Sequence, residues 1–205
     1  MTNSEFIHRF VPAKEGRWTR TLLLLHGTGG NEDDMLGLGR SIDPNAALLS
    51  PRGKVSENGA PRFFRRLAEG IFDEEDVIAS AHELADFIDS AATRYGIDMD
   101  QLVAVGYSNG ANIAAAMSLL GVAKYRSAIL FRAMVPLAKI NGANLSGSRI
   151  LMSSGESDPI ATQPIAQRLA ELFKIAGAEV TLTLQPAGHE LRPGDIQTAQ
   201  KWLSR

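Results

Sequence analysis

Apolar positions along this chain gather into short runs separated by longer stretches of helical spacing. Thr21–Leu25, Ala46–Ser50, Leu102–Val105, Ser127–Phe131, Ile150–Met152 and Val180–Leu184 are the strand candidates. Most are apolar at consecutive positions instead of alternating, the pattern of a strand whose two faces are both covered, as in a parallel sheet between layers of helices. Phe6–Phe10 reads as an additional edge strand. The helix candidates are Asp76–Tyr95, Asn109–Leu120, Pro164–Ala176 and Gly194–Leu203. In the first of them Val77, Ala81, Leu84, Ala85 and Ile88 recur at three- and four-residue intervals, which places them on one face. Gly96 and Gly177 stand just past two of these helices, where a left-handed residue closes a helix end. The alternation predicts an α/β fold with a mostly parallel central sheet and helices on both faces. No repeat, low-complexity tract or linker divides it, so residues 1–205 are expected to form one domain without a separate lid.

Composition narrows the chemistry. The 205 residues are 44% hydrophobic and 21% charged, values ordinary for a soluble globular protein. A formal net charge of −2 leaves no cationic footprint for the phosphates of a nucleic acid. Cysteine is absent, which excludes disulfides, thiolate metal sites and a cysteine nucleophile. Glu5, His8 and Arg9 interrupt the first ten residues, which lack the apolar core of a signal peptide. The longest aliphatic run, Leu22–Leu25, falls far below the ~20 residues of a membrane-spanning helix. A cytoplasmic protein without membrane or nucleic-acid partners is expected, with a homodimer as the assembly to test.

The sharpest motif is Gly106-Tyr107-Ser108-Asn109-Gly110, a G-x-S-x-G pentapeptide. An apolar strand candidate leads into it and an alanine-rich helix pattern follows, the strand–turn–helix setting of a nucleophile elbow. Neighbours two positions either side of a serine on such a turn press against adjacent chain, so side chains at 106 and 110 would clash. The turn also sets Ser108 at a helix N-terminus, where free amides favour developing negative charge. Alone, the motif would equally describe a glycine-bounded turn with Ser108 as an ordinary N-cap.

A serine nucleophile needs a base, and the chain holds four histidines. His8 lies in the N-terminal strand candidate, His82 inside a long amphipathic helix, and His26 ahead of a glycine turn whose shape it would set. His189 follows the last strand candidate in Pro186-Ala187-Gly188-His189-Glu190. Loops beyond the carboxyl ends of such strands are where ligand chemistry collects. An acid is expected between nucleophile and base in chain order. Asp158, with Asp-Pro fixing a turn just after Ile150–Met152, is the choice; Glu156 is the alternative. Asp158 would hold His189 in the productive tautomer and stabilise the imidazolium as it forms.

Leu25-His26-Gly27-Thr28-Gly29-Gly30 follows the first central strand. Its glycines let backbone amides approach a substrate oxygen, and the amides of Thr28 and Asn109 are the expected oxyanion donors. A nucleotide loop is the competing reading, but neither G-x-G-x-x-G nor Gly-Lys-Ser/Thr is present. No H-E-x-x-H or comparable metal spacing occurs.

Together these segments resemble the small carboxylesterase/lysophospholipase branch of the α/β-hydrolases, which includes the acyl-protein thioesterases. The resemblance runs through nearly the whole chain. Pro61-Arg62-Phe63-Phe64 falls where that family has an aromatic substrate-loop motif, and Met134-Val135-Pro136-Leu137 resembles its acyl-pocket segment. Gly59–Leu67 with Gly106–Asn112 looks closest to bacterial hydrolases encoded with hydroquinone-resistance dioxygenases. Asn109 stands where the acyl-protein thioesterases typically have Gln, a departure from the depalmitoylating pattern. The resemblance implies ester hydrolysis through an acyl-enzyme, without cofactor or metal, on a small-molecule ester. Thioester or lysophospholipid cleavage, hydrolysis of aromatic ring-cleavage products, and a non-catalytic binding module are the rival readings.

Residues 51–75 and 132–148 are long stretches left unassigned, and loops of that length usually border a functional site. Phe63, Phe64, Met134 and Val135 are expected to form an apolar acyl or aryl wall, with plain core packing as the alternative. Arg62, Arg65 and Arg66 are expected in a salt-bridged surface loop; contact with an anionic substrate is the alternative.

Overall fold

The side chains of each central strand divide between two apolar layers, and that division organises the molecule. In the computed structural model, which describes residues 5–13, 20–138 and 142–205, Leu22, Leu24, Val103, Val105, Ile129 and Leu151 pack into one layer. Their neighbours Leu23, Leu25, Leu102, Ala104, Ala128, Leu130, Ile150 and Met152 pack into the other. Successive strand residues point to opposite faces, so an unbroken aliphatic run is what a strand covered on both sides requires.

In chain order the elements are β1 (His8–Val11), β2 (Thr21–Leu25), α1 (Leu36–Ile42), β3 (Ala47–Pro51), β4 (Val55–Glu57), β5 (Ala60–Arg62), β6 (Arg66–Ala68), β7 (Ile71–Phe72), α2 (Glu74–Tyr95), β8 (Leu102–Tyr107), α3 (Asn109–Leu119), β9 (Ser127–Phe131), β10 (Arg149–Gly155), α4 (Gln163–Ile175), β11 (Glu179–Gln185) and α5 (Pro193–Leu203). The main sheet runs β1-β3-β2-β8-β9-β10-β11. Its strands are parallel except β1, which pairs antiparallel with β3 at the edge. Helices α2, α3 and α4 cover one face, and α1 and α5 the other. The predicted α/β architecture is observed, with no separate lid among the described residues. No helix among them is long and apolar enough to cross a membrane.

Local chemistry explains the boundaries. Asp73 caps α2 by accepting the amide of Asp76, and three acidic residues occupy the first turn where the helix dipole favours them. Gly96 and Gly177 take left-handed φ values of 66° and 96°, as their positions suggested. Helix α3 is buried at every residue, and its alanines let it lie close to β8 and β9. Helix α1 was not foreseen: its two glycines weaken helical propensity, yet it packs closely on the sheet, where a Cβ on Gly39 would meet the side-chain ends of Leu24 and Leu48 at 2.9 and 3.0 Å. The 51–75 stretch folds into two short hairpins, β4–β5 and β6–β7. Residues 139–141 of the second unassigned stretch lie outside the described residues.

Because β2 and β8 to β11 are parallel, their carboxyl ends share one edge of the sheet. His26, Ser108, Arg132, Asp158 and His189 all follow those ends.

Candidate active site

Ser108 follows β8, near the centre of the sheet, with φ 51° and ψ −115°. A non-glycine residue with positive φ costs on the order of 1–3 kcal/mol, which the surrounding structure must offset. The restraint is steric. A Cβ on Gly106 would lie 2.6 Å from backbone atoms of Ala111, and one on Gly110 only 1.9 Å from the carbonyl oxygen of Leu25. Both glycines are thus required by close approach. The turn is held further by the Ser108 amide on the Phe131 carbonyl at 2.9 Å. The serine side chain makes no capping bond to α3. Its Oγ instead stands 2.9 Å from His189 Nε2, so Ser108 is not an ordinary N-cap.

His189 Nδ1 lies 2.8 Å from Asp158 Oδ2. The other oxygen of this buried carboxylate accepts the amides of Ile160 at 2.8 Å and Ala161 at 3.0 Å. Carboxylate, imidazole and hydroxyl thus form one continuous chain of hydrogen bonds. Glu156 is exposed and takes no part. The other histidines are engaged elsewhere or distant. His8 bonds Phe6 O and Tyr95 Oη, and His82 is exposed on α2. His26 is buried beneath the glycine loop, its Nδ1 on Gly27 O at 2.7 Å and its Nε2 accepting the Gly53 amide at 2.9 Å. Burial pushes its pKa down. It shapes the loop, as its position suggested.

The segment Pro61–Phe63 ties together both expected oxyanion residues. The Pro61 carbonyl accepts the Gly29 amide at 2.9 Å, Arg62 Nη1 donates to Thr28 Oγ1, and the Phe63 amide donates to Asn109 Oδ1 at 2.7 Å. The amides of Thr28 and Asn109 have no hydrogen-bond partner among the described residues, and both residues line the cavity beside Ser108.

That cavity has a volume of about 210 Å³. Ser108 and His189 line it together with Tyr107, Asn109, Asn112, Thr28, Arg62, Arg66, Glu69, Gly70, Phe72, Met134 and Ile160. The expected apolar wall needs correction. Of its four residues only Met134 reaches the cavity. Phe63 is buried against the His26 ring at 4.7 Å between centroids. Phe64 is fully buried with its ring edge-on to Phe72. Val135 is half-buried against the core. Two adjacent aromatics in a loop lower the free energy most where both faces leave water, and here that place is the core. Phe72 and Ile160 supply apolar surface instead; the position of Ile160, just after Asp158-Pro159, was the available signal. Arg65 pairs with Asp73 and Asp76, and Arg66 with Glu57, as a salt-bridged loop should. Arg62 also pairs with Glu57, at 3.3 Å, and departs from the expected surface loop only in its burial. Its side chain is only 3% exposed, and burial followed by the nearby Arg66 pushes its pKa down.

Residues 7–205 match the family described as phospholipase/carboxylesterase. The chain is 43% identical over 189 residues to the Bacillus subtilis (strain 168) protein MhqD, named as a candidate hydrolase, covering 92% of this chain and 94% of that one. A Bacillus cereus carboxylesterase structure superposes with a TM-score of 0.94 at 44% identity, covering 99% of this chain and 95% of the other. A carboxylesterase from Mesorhizobium loti gives 0.93 at 33% identity, covering 100% and 97%.

Proposed function

The chain belongs to the phospholipase/carboxylesterase family of α/β-hydrolases, and from that premise we propose that it hydrolyses small carboxylic esters through a covalent acyl-enzyme formed on Ser108. The observation that carries the reading is the Asp158–His189–Ser108 hydrogen-bond chain ending on a serine held at positive φ.

In this reading His189 Nε2 takes the proton as Ser108 Oγ attacks the ester carbonyl carbon. The oxyanion is received by the amides of Thr28 and Asn109, which have no other partner to give up. Collapse expels the alcohol, which takes the proton from His189. Water enters, loses a proton to His189 and attacks the acyl carbon; the acid leaves and Ser108 regains its proton. Asp158 keeps Nδ1 protonated, so that Nε2 presents its lone pair to the serine before the first attack and to the water before the second.

Cavity size supports a small acyl group. About 210 Å³ lies below the ~300–1,000 Å³ of sites that enclose drug-sized ligands. Hydrolysis of p-nitrophenyl acetate through octanoate, run beside fluorophosphonate labelling, tests the reading. Labelling should vanish in Ser108→Ala, and kcat/KM should be highest for the short esters. A folded wild type that resists the probe would overturn it. A preference for long acyl chains or thioesters would move the substrate class while keeping the mechanism.

A further inference from the structure

Arg132, one residue beyond the end of β9, is completely buried and adopts a left-handed φ of 56°. Nothing in the reaction scheme above uses it. Its guanidinium employs all five N–H donors. Nε donates to Gly188 O at 3.0 Å; Nη1 donates to Ser153 O at 3.0 Å and Asp195 Oδ1 at 2.8 Å; Nη2 donates to Glu190 O at 2.6 Å and Asp195 Oδ2 at 2.9 Å. Gly188 and Glu190 are the two residues that flank His189.

We propose that Arg132 is a positioning residue for His189, holding the peptide planes on both sides of the base so that Nε2 stays aimed at Ser108. The inference rests on the reading of His189 as general base. The loop from Pro186 to Leu191 has no regular secondary structure to fix it. Its start is tied down by the Ser157 amide on Ala187 O at 3.1 Å, and one rigid planar group bound to the carbonyls on either side of His189 fixes the stretch that carries the base. The Tyr107 hydroxyl, donating to the His189 carbonyl at 3.1 Å, restrains the residue between them. What remains for the imidazole is side-chain rotation, which Asp158 restricts.

The donor set selects arginine. Three carbonyls and a bidentate carboxylate surround it, a five-acceptor set that matches the guanidinium fork and that lysine, with three donors on a flexible stem, cannot reproduce. Asp195 balances the charge and is itself satisfied by Ser153 Oγ at 2.6 Å and the Arg192 amide at 2.7 Å. Stability alone does not demand such an arrangement, because buried ion pairs can often be replaced by apolar groups of similar volume without loss. The bonds to Gly188 and Glu190 are the part that an apolar replacement would not supply.

Arg132→Lys and Asp195→Asn separate positioning from stability. Both disturb the same buried pair, but only the first removes the bonds to the His189 loop. For each, kcat and KM on p-nitrophenyl acetate, the rate of fluorophosphonate inactivation, the thermal midpoint and the low-field proton NMR signal of His189 Nδ1–H are compared with wild type. Arg132→Lys should lower kcat and the inactivation rate together by about 10²-fold, the scale of a catalytic group misplaced by ~1 Å, with KM nearly unchanged and the NMR signal broadened. Asp195→Asn should melt earlier yet keep kcat within about threefold and keep the NMR signal. Activity that falls in step with the melting temperature in both variants would overturn the proposal, as would wild-type kcat in Arg132→Lys. Should Arg132→Lys fail to fold, Asp195→Asn still decides: retained kcat supports the proposal, and a 10²-fold loss overturns it. An unlabelled wild type would overturn the esterase reading and this inference with it. A labelled wild type matched by Arg132→Lys would overturn this inference alone.

Discussion

Ser108 and His189 meet across 2.9 Å, but the segments that carry them are held by opposite means. The serine side is held by contact. A strand feeds it, a helix leaves it, and glycines at 106 and 110 bring the turn against Ala111 and the Leu25 carbonyl with no space to spare. The histidine side is held by polar reach. Its loop is irregular, and the carbonyls of Gly188, His189 and Glu190 are taken by side chains distant in sequence, Arg132 and Tyr107. The difference teaches that two halves of one site fail in different ways. The serine side should be intolerant of added volume, the histidine side of lost donors.

The largest effects probe what the two sides do together. Ser108→Ala and His189→Ala should each lower kcat by roughly 10⁴–10⁶-fold, and the double variant should lose little more, because the residues act as a unit. Additive losses, measured by steady-state kinetics with a purified double variant, would mean that the two do not share a step. Asp158→Asn should cost about 10³–10⁴-fold by favouring the wrong tautomer, while Glu156→Gln, exposed and unconnected, should match wild type. The reverse pattern would move the acid to Glu156.

Adding a methyl group to each side sharpens the contrast. Gly110→Ala would place a Cβ 1.9 Å from the Leu25 carbonyl oxygen, whereas Gly188→Ala would meet only the end of the Glu190 side chain, at 2.9 Å. Denaturant titration should find Gly110→Ala destabilised by about 1–3 kcal/mol or more. Gly188→Ala should cost well under that, since a flexible carboxylate can swing away. Equal losses would erase the distinction between the two sides.

The smallest effect concerns His26, the polar support beneath the serine side. Its folded pKa lies below the ordinary histidine value, so between about 6.5 and that lower value the unfolded chain binds a proton that the native state does not. Stability from this site is therefore lost as pH falls below about 6.5, and the loss stops at the folded pKa. Urea midpoints at about pH 7.5 and about pH 5 should differ more for wild type than for His26→Gln. Identical differences would show that His26 carries none of the acid sensitivity.

Legibility in the sequence followed the range of the interaction. The limits of β2 and β9 matched their apolar runs residue for residue, because burial on both faces is written into consecutive positions. Helix α2 begins two residues earlier than its periodicity indicates, since the Asp73 cap acts through a hydrogen bond and not through hydrophobicity. The hairpins within 51–75 are too short for any period to register. The hydrogen-bonded trio of Ser108, Asp158 and His189 was legible because each residue follows a strand at the same edge of the sheet. Phe63 and Phe64 were misplaced because an aromatic pair in a loop looks the same whether it turns toward a substrate or into the core. Arg132 was passed over because a single arginine after a strand ordinarily faces water.

What the sequence by itself determined is the layered sheet, its main strands and most of its helices, the serine on a tight turn and the identity of its two partners. These depend on periodicity, on steric exclusion between near neighbours, and on which residue types can move a proton. Only the tertiary structure decided which side chains wall the cavity, how Pro61–Phe63 ties Thr28 to Asn109, and that Arg132, paired with Asp195, reaches the carbonyls on both sides of His189. Those contacts join residues tens of positions apart. A long polar side chain costs little free energy to leave in water, so its own neighbourhood in the chain does not reveal whether it will be buried; that depends on acceptors brought to the same place by the rest of the fold.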